Sequence, residues 1–327
     1  MKSKILNILK ANENKFVSGA QISEALHISR QAVSKHINNL KKQGYNIDSI
    51  SRKGHRLLQS TEMYNQSELL SELNTQSMGH ELVFLETVGS TNDYAKRLAM
   101  TGPDKMVVIS DEQTSGKGRL GRSWTSEKGT GVWMSIVLKP DIEPSEAPKI
   151  TQIAAAAMIQ AIEKEINVEI QVKWPNDLIF NKKKVCGILT EMSAELGGIN
   201  YVIVGLGVNV NQTSMPEELI DKATSLKMGL DKIVSRKSIV LNFLEMFEYL
   251  YDDFIESKSL KKTIDICKEK SILLGKSVKI ITKAGTRVVK VNDINEDGHL
   301  MVINEDGKEE AIFYGEVSVR GLYEYID

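Results

Sequence analysis

Three glycines and three cations share the seven residues Gly116-Lys-Gly-Arg-Leu-Gly-Arg122. That mixture suits an anion clamp. Glycine lets the backbone approach a ligand closely, while Lys117, Arg119 and Arg122 supply charge-assisted donors matched to phosphate or carboxylate oxygens. A second polar turn, Trp174-Pro-Asn-Asp177, and a lysine at position 184 follow. The spacing Gly116, Gly118, Gly121 also satisfies the G-x-G-x-x-G pattern of a dinucleotide-binding turn. Such a turn must open a helix, yet Ser123-Trp-Thr-Ser-Glu-Lys-Gly-Thr-Gly131 has no apolar stripe at helical spacing. A P-loop fails as well, because Arg122 and Ser123 stand where Lys-Ser/Thr is required. Taken alone, the stretch could equally be an exposed loop punctuated by glycine and basic residues.

The 327 residues are too many for one small core and enough for two or three domains. With 41% hydrophobic and 26% charged residues, the composition excludes a disordered or fibrous chain. No apolar run reaches membrane-spanning length and Met1-Lys-Ser-Lys-Ile5 starts no secretory signal, so a cytoplasmic protein without a membrane partner is expected. Cys186 and Cys267 form no C-x-x-C pair or disulfide framework; like Trp133 and Met192 they read as packing residues. Charge is uneven along the chain. Residues 1–60 carry eleven lysines and arginines against three acids, a net +8 within a total of -1. A basic end on an acidic body points to a nucleic-acid module joined to something with other work.

Elements follow from the patterning. Ile5, Leu6, Ile8 and Leu9 share one face of a helix over 2–11, and Ile22, Ala25 and Leu26 share a face over 19–26. After a turn at His27-Ile28-Ser29, Ser29 caps a third helix through Leu40, with Val33, Ile37 and Leu40 inward. This is a helix-turn-helix pattern. Its outward face offers Arg30, Gln31, Ser34, Lys35 and His36 to base edges and phosphates. Runs at 45–50 and 55–58 flank Ser51-Arg-Lys-Gly54 as a hairpin wing, with Arg52 and Lys53 at a basic tip. A small helical domain with a solvated basic face is the plain alternative. The polar stretch from Gln59 to about Gly79, with Leu69, Leu70 and Leu73, reads as a linker helix.

Beyond Glu81, strands are expected at 82–85, 106–109, 131–138, 168–173, 185–192 and 201–209. They alternate with a helix after Ser90-Thr91 and a long helix over 148–166 that buries Ile153, Met158 and Ile162. Two helices near 237–255 and 260–268 precede short strands separated by Gly275, Gly285, Gly298, Gly307 and Gly315, the pattern of a small β-barrel.

In order, the central motifs are Ser90-Thr91-Asn92, Asp111-Glu112-Gln113, Gly116 to Arg122, Trp174-Pro-Asn-Asp177, Lys184-Val-Cys-Gly187 and Gly205-Leu-Gly-Val-Asn209. This set closely resembles the biotin–protein ligases. With the winged helix-turn-helix in front, nearly the whole chain resembles the bifunctional biotin ligases and biotin-operon repressors of bacteria. The resemblance implies an α+β protein: a winged helix-turn-helix DNA-binding domain over 1–62, a linker over 63–79, a central mixed α/β catalytic domain of class II aminoacyl-tRNA synthetase type over 80–270, and a small SH3-like β-barrel over 271–327. It also implies a two-step acyl transfer. Biotin's carboxylate attacks the α-phosphate of ATP, giving biotinyl-5′-AMP and pyrophosphate, and a lysine amine of an acceptor domain then takes the acyl group.

By resemblance, Ser90, Thr91 and Gln113 would bind the biotin ureido group with Asn92 beside them, while Lys117, Gly118 and Arg119 would cover the acyl chain and phosphate. Lys184 would bridge carboxylate and α-phosphate, forming a catalytic set with Arg119 and Asp177. Asp177 would help to hold a metal or orient the acceptor lysine, the second being favoured. Arg122 would contact the nucleotide, Trp124 would stack on adenine, and Asn209 would pair with its edge. The implied ligands are ATP and biotin with Mg²⁺, and no protein-borne metal site is expected. The implied partners are a biotin carboxyl carrier protein or another biotin carboxylase acceptor domain, operator DNA, and a second copy of the chain when the adenylate is bound.

One departure is Lys117, where many relatives have Arg; charge is kept. Ser90-Thr91-Asn92 alone could be only a helix cap, and Gly205-x-Gly207 only a bulge. A lipoate or octanoate ligase shares the general architecture, but the front and rear segments speak against it. A regulator that only senses a small molecule is disfavoured by Lys184, Arg119 and Asp177 occurring together. An active ligase whose winged domain no longer binds DNA stays open.

Overall fold

The computed structural model describes residues 1–58, 63–282, 285–314 and 318–321. Gly315 and the expected domain limits at 62 and 327 lie outside the described residues. The chain divides into two compact units, Met1–Asn74 and Thr75–Asp327.

The first unit contains α1 (Lys2–Ala11), α2 (Gly19–Leu26), α3 (Arg30–Lys42), β1 (Ile47–Ile50), β2 (Gly54–Leu57) and α4 (Gln66–Glu72). Polar caps set the helix starts. Ser18 and Gln21 form a reciprocal capping box at α2, and Ser29 Oγ accepts from Ala32 N at α3. Behind those caps Ile5, Leu9, Ile22, Val33, Ile37 and Leu40 close one apolar core. The wing hairpin pairs Ile47 with Leu57 and Ile50 with Gly54. It is stitched to the turn before α2 by reciprocal Val17 and His55 backbone hydrogen bonds of 2.8 Å. Gly54 is required there: its φ is +109°, and a Cβ would stand 2.2 Å from Val17 O and 2.6 Å from Ser18 Cα.

The expected linker helix, α4, belongs to this unit and packs on α1. Its Glu68 is almost fully buried, yet it accepts from Lys10 Nζ at 2.6 Å and Tyr45 Oη at 2.9 Å. A buried carboxylate tolerates its lost hydration only with such partners. His36, expected on the outward face of α3, is half-buried instead. Burial, the amino terminus, Lys2 and Lys35 hold its imidazole below the ordinary pKa.

The second unit begins with β3 (Leu82–Leu85), α5 (Thr91–Ala99), β4 (Met106–Ser110), β5 (Gly131–Leu138), α6 (Lys149–Ile166), β6 (Gln171–Lys173), β7 (Asp177–Phe180), β8 (Lys183–Glu195) and β9 (Gly198–Asn209). Next come α7 (Leu226–Leu230), α8 (Arg236–Ser257) and α9 (Lys261–Glu269). Seven strands form one sheet in the order β3-β4-β5-β9-β8-β7-β6. All neighbours are antiparallel except β3 and β4. Every residue of β5 is buried. The alanine run of α6 lets that helix pack between the sheet and α8.

Three local expectations need correction. Strand β6 starts at Gln171 rather than 168, and the turn at Trp174–Asp177 leads straight into β7, an unanticipated strand. Strand β8 continues to Glu195 beyond its last pairing with β7 at Gly187, and Met192 on that free flank is 43% exposed rather than packed. Trp133, Cys186 and Cys267 are buried as expected.

A small β domain follows, with β10 (Ser277–Thr282), β11 (Gly285–Ile294), β12 (Leu300–Ile303), β13 (Glu309–Ile312) and β14 (Ser318–Arg320) in the order β13-β12-β11-β10-β14. It is docked to α6 and to the turn between β6 and β7 through the carbonyl of Gly298, which accepts from Gln152 Nε2 at 2.6 Å and Trp174 Nε1 at 2.9 Å.

Gly54→Ala is expected to destabilise the wing by about 2 kcal/mol or more through strain and overlap. Hydrogen exchange over residues 47–57 reads this, with protection in the second unit unchanged. Retained wing protection would contradict the close approach.

Candidate functional site

The site starts at the first turn of α5. Ser90 caps that helix, which turns Thr91 and Asn92 inward until both are almost fully buried. Thr91 N and Oγ1 donate to Gln113 Oε1 at 2.8 and 3.1 Å, and Gln113 Nε2 donates to Ser126 Oγ at 2.9 Å. From β5, the buried Ser135 Oγ lies 2.8 Å from Thr91 Oγ1 and 2.6 Å from Asn92 Oδ1. Asn92 Nδ2 donates to Glu191 on β8. Gly205 makes room for this arrangement, because a Cβ there would stand 2.1 Å from Asn92 Oδ1. The polar groups are therefore pre-oriented before any ligand arrives.

The glycine loop crosses in front of them. Its stem is closed by Trp124 N donating to Gly116 O and by Gly118 N donating to Arg122 O. Lys117 Nζ forms an ion pair of 2.7 Å with Asp93 on α5, and Arg119 Nη1 donates to Asn176 Oδ1 at 2.7 Å. Between these anchors and Arg122, a single 3-10 turn over Arg119–Gly121 places exposed Leu120 at φ +56°. No α-helix starts at the glycines, so the dinucleotide-turn alternative is excluded.

Trp124 leaves the loop and lies on a window made by Gly187 and Gly207, which face each other across β8 and β9. Added Cβ atoms would come within 2.9 Å of the indole at Gly187 and 2.6 Å at Gly207. Trp124 Nε1 is buried and has no hydrogen-bond partner among the described residues. The Lys184 ammonium sits 5.1 Å from the ring centroid, in cation–π range, and pairs with Asp177 at 2.6 Å.

Two adjoining cavities meet at Arg119, Trp124, Asn176 and Lys184. One, of about 500 Å³, carries the cations Arg119, Arg122, Lys173, Lys184, Lys222 and Arg320 around Asp177, with Glu127 and Glu218 on its wall. Its size falls within the range of small-molecule sites. The other, of about 40 Å³, is lined by Ser90, Thr91, Asn92, Gln113, Lys117 and Gly118. It has space for a few waters. Trp124 and the glycine loop form part of its wall.

Electrostatics in the larger cavity are strained by like charge. Burial above all, with Arg320, Lys184 and Arg122 acting the same way against the pull of Asp177, lowers the Lys173 pKa to about 7. Burial also lowers the Arg119 guanidinium, against the pull of Asp177. An anion entering the cavity relieves both. Asn209 is at the rim, but its amide is engaged: Nδ2 donates to Thr224 O and Oδ1 accepts from Gln212 Nε2.

The sequence-derived ligand residues therefore converge on one place, while Arg30, Gln31, Ser34 and Lys35 line a shallow groove on α3 of the first unit, joined by Asn38, Asn39 and Lys42. Arg52 and Lys53 are exposed at the wing tip. Sequence reasoning missed Lys173, Asn176, Ser126, Ser135 and Arg320. Lys173 and Asn176 flank or lie within a motif already singled out and were open to notice. Arg320 reaches the cavity only through the docking of the β domain, a contact without a local sequence signal.

Residues 84–209 match the biotin/lipoate A/B protein ligase family, residues 2–56 a helix-turn-helix domain, and residues 273–320 the biotin protein ligase C-terminal domain. The bifunctional ligase/repressor BirA of Bacillus subtilis is 36% identical over 310 residues, 94% of this chain and 95% of that one. The bifunctional ligase/repressor BirA of Escherichia coli is 26% identical over 321 residues, 97% of this chain and 96% of the other. The structure of biotin protein ligase from Aquifex aeolicus in complex with biotin and ATP aligns with a TM-score of 0.65 at 33% identity, covering 74% of this chain and 99% of that one. Among the described residues no helix is long and apolar enough to cross a membrane. With the motifs gathered at one site and the likeness running almost end to end, this chain belongs to the biotin–protein ligases, in their bifunctional ligase/repressor group.

Proposed function

We propose that this protein activates biotin with ATP, transfers the biotinyl group to a lysine of a carboxylase acceptor domain, and represses transcription through its winged unit in the cytoplasm. The observation that carries the enzymatic reading is the meeting of a narrow cavity walled by the hydrogen-bonding groups of Ser90, Thr91, Asn92 and Gln113 with a wide cationic one at Lys184 and Arg119. The first suits a ureido ring and the second a nucleotide triphosphate. The reacting carboxylate and α-phosphate then lie where the two join.

In the first step a carboxylate oxygen bonds to the α-phosphorus and the bond to pyrophosphate breaks. Lys184 leaves Asp177 for the anions, and its compact ammonium can follow the oxygen as bonding changes. Arg119 holds the loop across the mixed anhydride and keeps water out. In the second step the acceptor amine attacks the carbonyl carbon, AMP leaves, and the amine sheds a proton. Asp177, released from Lys184, orients that amine. A divalent ion would come with the triphosphate, and the carboxylates of Asp177, Glu127 and Glu218 line the cavity it would enter. Its chemistry is to draw charge from the phosphoryl oxygens.

For the winged unit, α3 enters the major groove with Arg30, Gln31, Ser34 and Lys35, and the wing brings Arg52 and Lys53 to the backbone. Adenylate in the pocket favours a homodimer that presents two such units to operator half-sites.

Three outcomes are expected. With biotin, ATP, Mg²⁺ and an acceptor domain, Arg119→Gly raises labelling of bystander lysines roughly tenfold, as befits a lost charge-assisted hydrogen bond; unchanged fidelity would contradict the lid role. ATP binding takes up a proton near pH 8, because Lys173, neutral above about pH 7, regains its charge beside phosphate. Calorimetry in buffers of different ionisation enthalpy reads this, and Lys173→Met removes the uptake. Operator binding weakens steeply with salt, and Lys35→Ala reduces the salt slope by about one in fluorescence anisotropy titrations.

A further inference from the structure

The amide of Asn92 lines the narrow cavity, yet both its polar atoms are engaged by the protein. Nδ2 donates to Glu191 Oε2 at 2.8 Å and reaches Leu189 O at 3.4 Å, while Oδ1 accepts from Ser135 Oγ at 2.6 Å. The side chain lies across three strands, because Ser135, Gly205 and Leu189 pair in register on β5, β9 and β8 and Gly205 leaves the space for it. Asn92 and Ser135 are buried. Glu191 stands two residues beyond Leu189 on β8, and its other oxygen accepts from Lys96 Nζ, one turn along α5 from Asn92, at 2.6 Å.

These partners decide which end of the amide faces which way. A carboxylate and a carbonyl only accept, so Nδ2 must face them and Oδ1 must face Ser135. Ser135 has one hydrogen and two oxygens within reach, Asn92 Oδ1 at 2.6 Å and Thr91 Oγ1 at 2.8 Å. Because Oδ1 has no hydrogen to give, it takes that of Ser135, and Ser135 turns a lone pair toward Thr91. The hydrogen of Thr91 then goes to Ser135 or to Gln113 Oε1, 3.1 Å away. What Thr91 Oγ1 keeps for the cavity is acceptor capacity.

We propose that Glu191 is a positioning residue that determines specificity: through Asn92 and Ser135 it makes Thr91 a hydrogen-bond acceptor, so the narrow cavity selects a ring with an N–H to donate. This rests on the ligase reading, in which that ring is the ureido ring of biotin. Lys96 makes the arrangement depend on the charge of Glu191. In Glu191→Gln the one side-chain oxygen goes to the Lys96 ammonium, which leaves the new NH2 group facing Asn92 Nδ2, donor against donor. Asn92 turns over, its Nδ2 donates to Ser135, and the Ser135 hydrogen swings to Thr91 and takes up a lone pair there.

The test is steady-state pyrophosphate release by the full chain with biotin, ATP and Mg²⁺. Glu191→Gln is expected to raise the biotin KM about tenfold, the scale of one misdirected buried hydrogen bond, with kcat and the ATP KM moving less than about twofold. Two second changes should bring the biotin KM back to within about threefold of wild type. Asn92→Asp added to Glu191→Gln moves the carboxylate one link along and again presents an acceptor to Ser135. Lys96→Met added to Glu191→Gln frees the new amide to turn its oxygen to Asn92. Asn92→Asp alone sets two carboxylates together and should raise the biotin KM; should Glu191→Gln alone fail to fold, this variant against the Asn92→Asp, Glu191→Gln pair carries the same comparison. A side chain that only supported the fold would lower kcat or raise both KM values, with no rescue by either second change. An unchanged biotin KM in Glu191→Gln, or double variants no better than the single ones, would overturn the proposal. Absence of biotin-dependent pyrophosphate release from wild type would strike the ligase reading instead.

Discussion

Cations confined in one cavity repel one another, and much of the second unit is arranged to keep them there. Arg119 and Arg122 come from the glycine loop, Lys173 from the end of β6, Lys184 from the start of β8, and Arg320 from the end of β14. Only the folded chain unites them. Burial does most to pull the Lys173 pKa to about 7; the neighbouring cations add to it, and Asp177 offsets part of the effect. A cavity in that condition is poised for a polyanion, because the ligand supplies the missing negative charge. Packing bears the cost meanwhile: the apolar strand β5, the buried helix α6 and the Gly298 dock form a frame that does not yield.

The two cavities communicate through a single aromatic ring. Because Gly187 and Gly207 face each other, the strands leave a flat recess in which Trp124 lies, with Lys184 above it. The indole can leave this place only if the loop that carries it moves. Its Nε1 is buried and has no hydrogen-bond partner among the described residues. Loop position, ring position and the charge of the cationic cavity are therefore coupled through shared residues.

Much of this was legible in the chain. Caps at Ser29 and Ser90, the periodic apolar faces and the basic first sixty residues announce the winged unit and the start of α5, because such signals are local. Residues whose meaning is tertiary stayed hidden. Ser135 reads as one polar residue in an apolar strand until Asn92 is seen beside it, and Gly205 reads as a bulge until its missing Cβ is seen to admit an amide. Arg320 lies 98 residues or more from the other cavity cations, and the docking of the β domain at Gly298 brings it there. The helix α4 looked like a tether because its polar face hides Glu68, whose partners Lys10 and Tyr45 lie far back in sequence.

The account predicts that the cationic and the hydrogen-bonding cavity are two halves of one reaction site. A crystal structure with biotin and a non-hydrolysable ATP analogue tests this most directly. The expected result is the ureido ring between Thr91 and Gln113, phosphates among Lys173, Arg122 and Arg320, and Lys184 moved from Asp177 to the biotin carboxylate. Ligands bound apart from one another, or Lys184 still paired with Asp177 beside a filled site, would contradict it.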